Sequence, residues 1–174
     1  RELEPKQFLK IIGEKSLLEH AIERLDRVID RKNILIITNK SYYFELKKQT
    51  ERFRIPEENI ILEPEGKNTA AAIGLCARLL NRKDPQSILT VFPADHYIKN
   101  LPKFENNLKQ GIECAKKGFL VTIGIHPRSP STGYGYIKTG KRSNGFLKAE
   151  KFLEKPDLKR AKKYFKEKGF YWNS

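Results

Sequence analysis

Short apolar runs alternate with stretches whose apolar residues recur every three to four positions, and that alternation constrains the fold more than any other feature of the sequence. Asn33-Ile34-Leu35-Ile36-Ile37-Thr38 is β-branched, apolar and bounded by polar residues, so it reads as a buried strand. Ile60-Ile61-Leu62, the run 87–92 and the run 119–125 read the same way. Between them lie helices. Ser16 and Glu19 have capping-box spacing, and Leu17, Leu18, Ala21, Ile22, Leu25, Val28 and Ile29 then trace one apolar face. The stretch 41–53 is helical in period and Pro56 lies past its end. Asn68 or Thr69 is placed to cap an Ala-rich helix through Ala70, Ile73, Leu75 and Leu79, and 104–117 is helical again. Strand and helix alternate through four units. This predicts an α/β fold with a Rossmann-like, mostly parallel open sheet and helices on both faces.

After residue 125 the pattern changes. Tyr134-Gly135-Tyr136-Ile137 and the stretch 146–153 alternate polar and apolar, which predicts a small mixed β excursion. Asp157, directly behind Pro156, is placed to cap a last helix. With neither internal repeats nor a low-complexity linker, residues 1–174 read as one continuous domain.

Composition removes several function classes. Hydrophobic residues make up 39 % of the chain, enough for a core, and there is no run of 18 or more apolar residues to span a membrane. Cys76 and Cys114 are not in a C-x-x-C pair, and His20, His96 and His126 do not cluster with them, which argues against zinc. The cysteines read as reduced, buried thiols of a cytoplasmic protein. The formal charge of +14 favours phosphate-bearing partners of any kind. The lysines are interleaved with glutamates and form no basic tail, so neither a nucleic acid nor a membrane is the expected partner. The sequence leaves a homo-oligomer open.

In open α/β sheets, ligands bind beyond the carboxyl ends of the strands. Asp95, in Pro93-Ala94-Asp95-His96, follows a run read as a strand. A hard carboxylate there suits Mg²⁺, which takes one or two carboxylates plus phosphate oxygens and water; alternatively it caps a turn. In Glu63-Pro64-Glu65-Gly66-Lys67-Asn68-Thr69, a helix N-terminus offers N–H groups to an anion, and Glu63 could accept the adjacent N1–H and N2–H₂ donors of guanine. The same stretch is equally an ordinary capped loop. Ser131-Thr132-Gly133-Tyr134-Gly135-Tyr136 lets backbone approach a ligand beside an aromatic wall, or is a turn between strands. Glu154-Lys155 sets a carboxylate beside an ammonium, able to hold a sugar hydroxyl and a phosphate, or forms a surface charge pair.

The order of these segments is more informative than any one of them. Glu2-Leu3-Glu4-Pro5-Lys6-Gln7-Phe8-Leu9, Glu63-Pro64 with Asn68-Thr69-Ala70, and Pro93-Ala94-Asp95-His96 are followed by Gly124-Ile125 through Ile137. Phe152 with Glu154-Lys155-Pro156-Asp157, and Trp172-Asn173-Ser174, complete six motifs over essentially the whole chain. Together they resemble the long-form bacterial mannose-1-phosphate guanylyltransferases (GDP-mannose pyrophosphorylases) of the sugar-1-phosphate nucleotidyltransferase family. The resemblance implies nucleotidyl transfer from GTP to mannose 1-phosphate, with Mg²⁺ as cofactor. The alternatives are a relative with another base or sugar, or a non-catalytic regulatory homologue.

The resemblance also implies roles. Lys6, Asp95 and Lys155 would be catalytic: Lys6 on the triphosphate, Asp95 as the Mg²⁺ ligand, Lys155 on the sugar phosphate. Glu63, Asn68 and Thr69 would hold the guanine end of GTP. Gly133 and Tyr134 would lie along the sugar, and Glu154 and Asn173 would take its hydroxyls. The family's Gly-rich phosphate loop, G-G-x-G-x-R, would precede the first motif and does not occur within 1–174. A second metal ligand would lie beyond Ser174. The expectation is therefore a single catalytic domain, 1–174, incomplete at both ends.

Overall fold

In the computed structural model of the protein, the structure describes residues 5–66, 68–143 and 145–173. Glu2, Leu3 and Glu4 of the first motif, Lys67 of the second and Ser174 of the last lie outside the described residues. The fold is α/β, with a parallel sheet flanked by helices and a separate antiparallel sheet. Its backbone contacts fall into two units, Arg1–Lys116 and Lys117–Ser174.

The first unit begins with a 3-10 turn, Lys6–Phe8, and helix α1, Leu17–Asp26. The α1 start is the expected capping box: Ser16 Oγ accepts the Glu19 amide at 3.2 Å, and the Glu19 carboxylate accepts the Ser16 amide at 2.7 Å. Strand β1, Ile36–Asn39, follows, then helix α2, Tyr43–Thr50, and strand β2, Ile60–Glu63. The two strands pair in parallel, Ile36 opposite Ile60 through to Asn39 opposite Glu63, so Asn39 and Glu63 share the carboxyl end. Phe8, Leu18, Ile22, Ile34, Leu46, Phe53 and Ile55 form the buried core between helices and strands. Each such side chain contributes about 1.5–3 kcal/mol by leaving water. Helix α3, Asn68–Lys83, and helix α4, Leu101–Ala115, complete the unit. Asn100 caps α4 through the Lys103 amide at 3.0 Å, so the helix starts slightly ahead of the expected residue 104.

Two expected strands do not join a ladder. Residues 87–92 and 119–125 contain no strand, and among the described residues their one bridge is Ile125 with Trp172. Val91 is exposed, as are Phe119, Leu120 and Val121, with Leu120 at 106 % relative accessibility. Apolar, β-branched composition records a tendency to fill a pleated, buried surface; the ladder itself also needs a partner backbone. The parallel sheet is thus carried by β1 and β2.

The second unit is built on strand β3, Gly135–Ser143, with strand β4, Phe146–Leu153, on one side and strand β5, Phe170–Asn173, on the other, all antiparallel. The expected β excursion is therefore present, but it is wholly antiparallel rather than mixed and has a third strand. Helix α5, Leu158–Lys166, is capped by Asp157, whose carboxylate accepts the Arg160 amide at 2.8 Å. Tyr164 of α5 stacks on Phe170 at 4.6 Å and meets the fully buried Tyr136 at 5.4 Å, fastening the helix to β3 and β5. Among the described residues no helix is long and apolar enough to cross a membrane. Cys76 and Cys114 are free and buried.

Candidate functional site

Each unit carries its own group of candidate side chains. In the first unit, Phe8 anchors the opening segment in the core, and the Phe8 carbonyl accepts the Gln49 side-chain amide at 3.2 Å. Lys6, two residues earlier, is thereby held at the surface with its ammonium exposed. Glu63 is the last residue of β2 and is half-buried. Burial pushes the Cys76 thiol up, and the Glu63 carboxylate adds to that effect, which sets Glu63 electrostatically beside α3. Asn68 opens α3 with φ of 64°, in the left-handed region that asparagine tolerates, and both it and Thr69 are exposed. Asn68 is the first residue of α3.

Asp95 lies in a tight turn at 94–95, not directly after a strand as expected. Its neighbours hold it from both sides. Ala94 packs against the core, and the Phe92 ring meets Phe104 of α4 edge-on at 5.5 Å. The His96 carbonyl accepts a hydrogen bond from Arg24 of α1 at 3.0 Å, and Tyr97 meets His20 of α1 edge-on at 5.4 Å. Asp95 itself is exposed, and among the described residues no hydrogen bond or ion pair engages its carboxylate.

The donor set fits Mg²⁺ in one form only. Among the described residues no group of three or more His, Cys, Asp or Glu side chains converges to enclose a metal. A lone, unengaged carboxylate matches an ion that takes its other ligands from substrate phosphates and water.

In the second unit, β-sheet register does what separation in sequence hides. Gly135, at the start of β3, pairs with Asn173 at the end of β5, and Tyr136 pairs with Leu153 at the end of β4. Gly133 and Tyr134, Glu154 and Lys155, and Asn173 therefore converge on one end of a three-stranded sheet. Tyr134 packs on Trp172 with ring centroids 5.0 Å apart, so its ring is braced while remaining exposed. The Gly133 amide donates to Ser131 Oγ at 3.1 Å, shaping the turn. Glu154 and Lys155 are exposed and 3.9 Å apart, a loose pair that competing ligands would separate at little cost.

Arg24 is the residue that sequence reading missed. It occupies the apolar stripe of α1, one turn on from Ala21, and is only 2 % exposed. A charged residue in an otherwise apolar helical stripe was the available signal.

A family model for nucleotidyl transferases matches residues 1–174. The chain belongs to the nucleotidyl transferase family. This nucleotidyl transferase is 39 % identical over 181 residues to mannose-1-phosphate guanylyltransferase of Escherichia coli, covering 100 % of this chain and 39 % of that protein. It is 32 % identical, with a TM-score of 0.85, to a structure described as mannose-1-phosphate geranyltransferase from Thermus thermophilus, covering 99 % of this chain and 50 % of that one. A structure described as mannose-6-phosphate isomerase from Helicobacter pylori gives 38 % identity and a TM-score of 0.83 over 98 % of this chain and 63 % of that one. The chain spans about two fifths of the length of the curated relatives it matches.

Proposed function

We propose that the protein transfers a guanylyl group from GTP to mannose 1-phosphate, giving GDP-mannose and pyrophosphate. The observation that carries this reading is the match, along all of the chain, to a mannose-1-phosphate guanylyltransferase at 39 % identity. The two groups of side chains supply a chemistry consistent with it.

A phosphate oxygen of mannose 1-phosphate attacks the α-phosphorus of GTP, and pyrophosphate leaves. The nucleophile is already an anion, so no general base and no covalent enzyme intermediate are needed. The obstacle is the repulsion between two polyanions. Lys6 meets the triphosphate and Lys155 the sugar phosphate, each offsetting negative charge where it accumulates. Glu63 accepts the paired N1–H and N2–H₂ donors of guanine, which uracil and thymine lack. Asn68 and Thr69 present the α3 N-terminus to the same end of the nucleotide. Tyr134 forms a wall for the sugar, Gly133 leaves backbone room beside it, and Glu154 and Asn173 take sugar hydroxyls. Asp95 would hold Mg²⁺, which when bound supplies the positive charge that stabilises the transferring phosphoryl group.

The test is pyrophosphate release with GTP, Mg²⁺ and mannose 1-phosphate, beside ATP, UTP, dTTP and glucose 1-phosphate. Release confined mainly to GTP with mannose 1-phosphate supports the reading, including base recognition by Glu63. Release with a different pair keeps the reaction and overturns the specificity. A folded protein that includes the Gly-rich phosphate loop and releases none with any pair overturns the function.

A further inference from the structure

The geometry points to Arg24 as the positioning residue for Asp95, acting through the backbone of His96, directly after the turn at 94–95; this rests on the metal-binding role of Asp95 proposed above. Arg24 lies 72 residues away from His96 in sequence, on the buried face of α1, and its Nη1 donates to the His96 carbonyl at 3.0 Å. Its guanidinium carbon lies 5.4 Å from the centroid of the Phe104 ring. Among the described residues no carboxylate pairs with it, and its Nε, buried, has no hydrogen-bond partner.

That arrangement is a poor device for stability. A guanidinium taken out of water recovers its hydration only when several good partners replace it, and a well-packed apolar side chain of similar volume is often as stable or better. Burial accordingly pushes the Arg24 guanidinium down from its ordinary pKa. What arginine does here that methionine could not is hold the carbonyl of His96, the residue that follows the turn. Asp95 has no side-chain partner of its own among the described residues, so its carboxylate is aimed only by what fixes the backbone on either side. Ala94 fixes one side by packing on the core, and Arg24 fixes the other, with Tyr97 on His20 as a further brace. A lone carboxylate serving as a metal ligand is most effective when it is already in place, because the ion then meets no ordering cost at the loop.

The experiment compares Arg24→Met, Arg24→Lys and wild type, with Arg24→Leu as a second apolar variant should methionine overfill the site. Three quantities are read: the melting temperature, amide hydrogen exchange across 95–98, and the Mg²⁺ concentration for half-maximal turnover. Arg24→Met is expected to melt at or above the wild-type temperature, yet to exchange at least about tenfold faster across 95–98 and to need about tenfold more Mg²⁺. Arg24→Lys keeps a donor on a shorter reach and is expected to fall between the two. Wild-type exchange and wild-type Mg²⁺ demand in a folded apolar variant would overturn the proposal. So would equal impairment of the Lys and Met variants, which would mean that donation to the carbonyl is not what matters. Should the wild-type protein turn over no nucleotide at all, the functional reading falls, and faster exchange at 95–98 in Arg24→Met still decides whether Arg24 fixes the turn.

Discussion

The Asn59 side-chain amide donates to two carbonyls at once, those of Lys32 at 2.8 Å and Ile34 at 3.1 Å. One buried side chain, just ahead of β2, thereby ties the approach to β2 to the approach to β1. This link lets a two-stranded parallel sheet keep its register with no connecting hairpin.

Asn59→Ala is therefore expected to cost about 1–3 kcal/mol, because two carbonyls lose their donor inside the protein rather than in water. Urea unfolding followed by circular dichroism checks it. The midpoint should fall while the slope stays unchanged, since the native surface is the same size. An unshifted midpoint would mean that water replaces the amide at both carbonyls.

The local elements of this fold could be read directly from the chain. The Ser16–Glu19 box and the Asp157 cap each involve residues three apart, so the chemistry that starts the helix is written beside it. Pairing is a different matter. Residues 119–125 have the composition of a buried strand and lie exposed, whereas Phe170–Asn173, three strand-favouring aromatics in a run too short to stand out as an element, forms β5. What decides between them is a partner: β5 finds β3, well back in the chain beyond β4 and α5. The site divides likewise. Tyr134, Glu154 and Asn173 could be picked out one by one, but their convergence is a product of register across three strands. Arg24 was hidden for a related reason, since its partner is a backbone carbonyl, which no residue type advertises.

Gly124 tests the part of the second unit that has lost strand character. A Cβ at this position would lie 2.8 Å from Tyr171 Cβ and 3.1 Å from its Cγ, and neither atom is the free end of a flexible chain. Beside it, Ile125 and Trp172 exchange backbone hydrogen bonds of 3.1 and 2.7 Å, leaving little room to retreat. Gly124→Ala is expected to destabilise this unit by about 1–3 kcal/mol, the usual range for overpacking. The near-ultraviolet circular dichroism of Tyr171 and Trp172 should change with it. An unchanged spectrum and midpoint would show that 124–125 swings away freely.

Asp26 gives the protein a defined acid sensitivity. The side-chain hydrogen bonds from Arg31, 2.7 Å from Nε and 2.5 Å from Nη2, lower the Asp26 carboxyl below its ordinary range; partial desolvation opposes this, and the opposite charge of Arg31 adds to it. The folded state therefore holds this proton less tightly than the unfolded chain. The pair stabilises above the ordinary carboxylate pKa of about 3.9, and that contribution is lost as pH falls through the lower folded value. Asp26→Asn should melt below wild type near neutral pH, and the gap should close as the pH falls through and below the lowered range of the folded Asp26 carboxyl. A gap that stays constant with pH would assign the effect to packing rather than to charge.

Asp95→Asn separates chemistry from folding most cleanly. The carboxylate is exposed and has no partner among the described residues, so nothing in the fold depends on its charge. The melting temperature should be unchanged to within about a degree, as for an ordinary surface substitution. Turnover with GTP and mannose 1-phosphate should fall about a hundredfold or more, because a neutral amide oxygen is a far weaker ligand for a hard divalent cation. The loss should lessen as Mg²⁺ is raised, since a weakened ligand is offset by mass action, whereas a lost contact to substrate would not respond. Wild-type turnover at wild-type Mg²⁺ would overturn the proposed metal-binding role of Asp95.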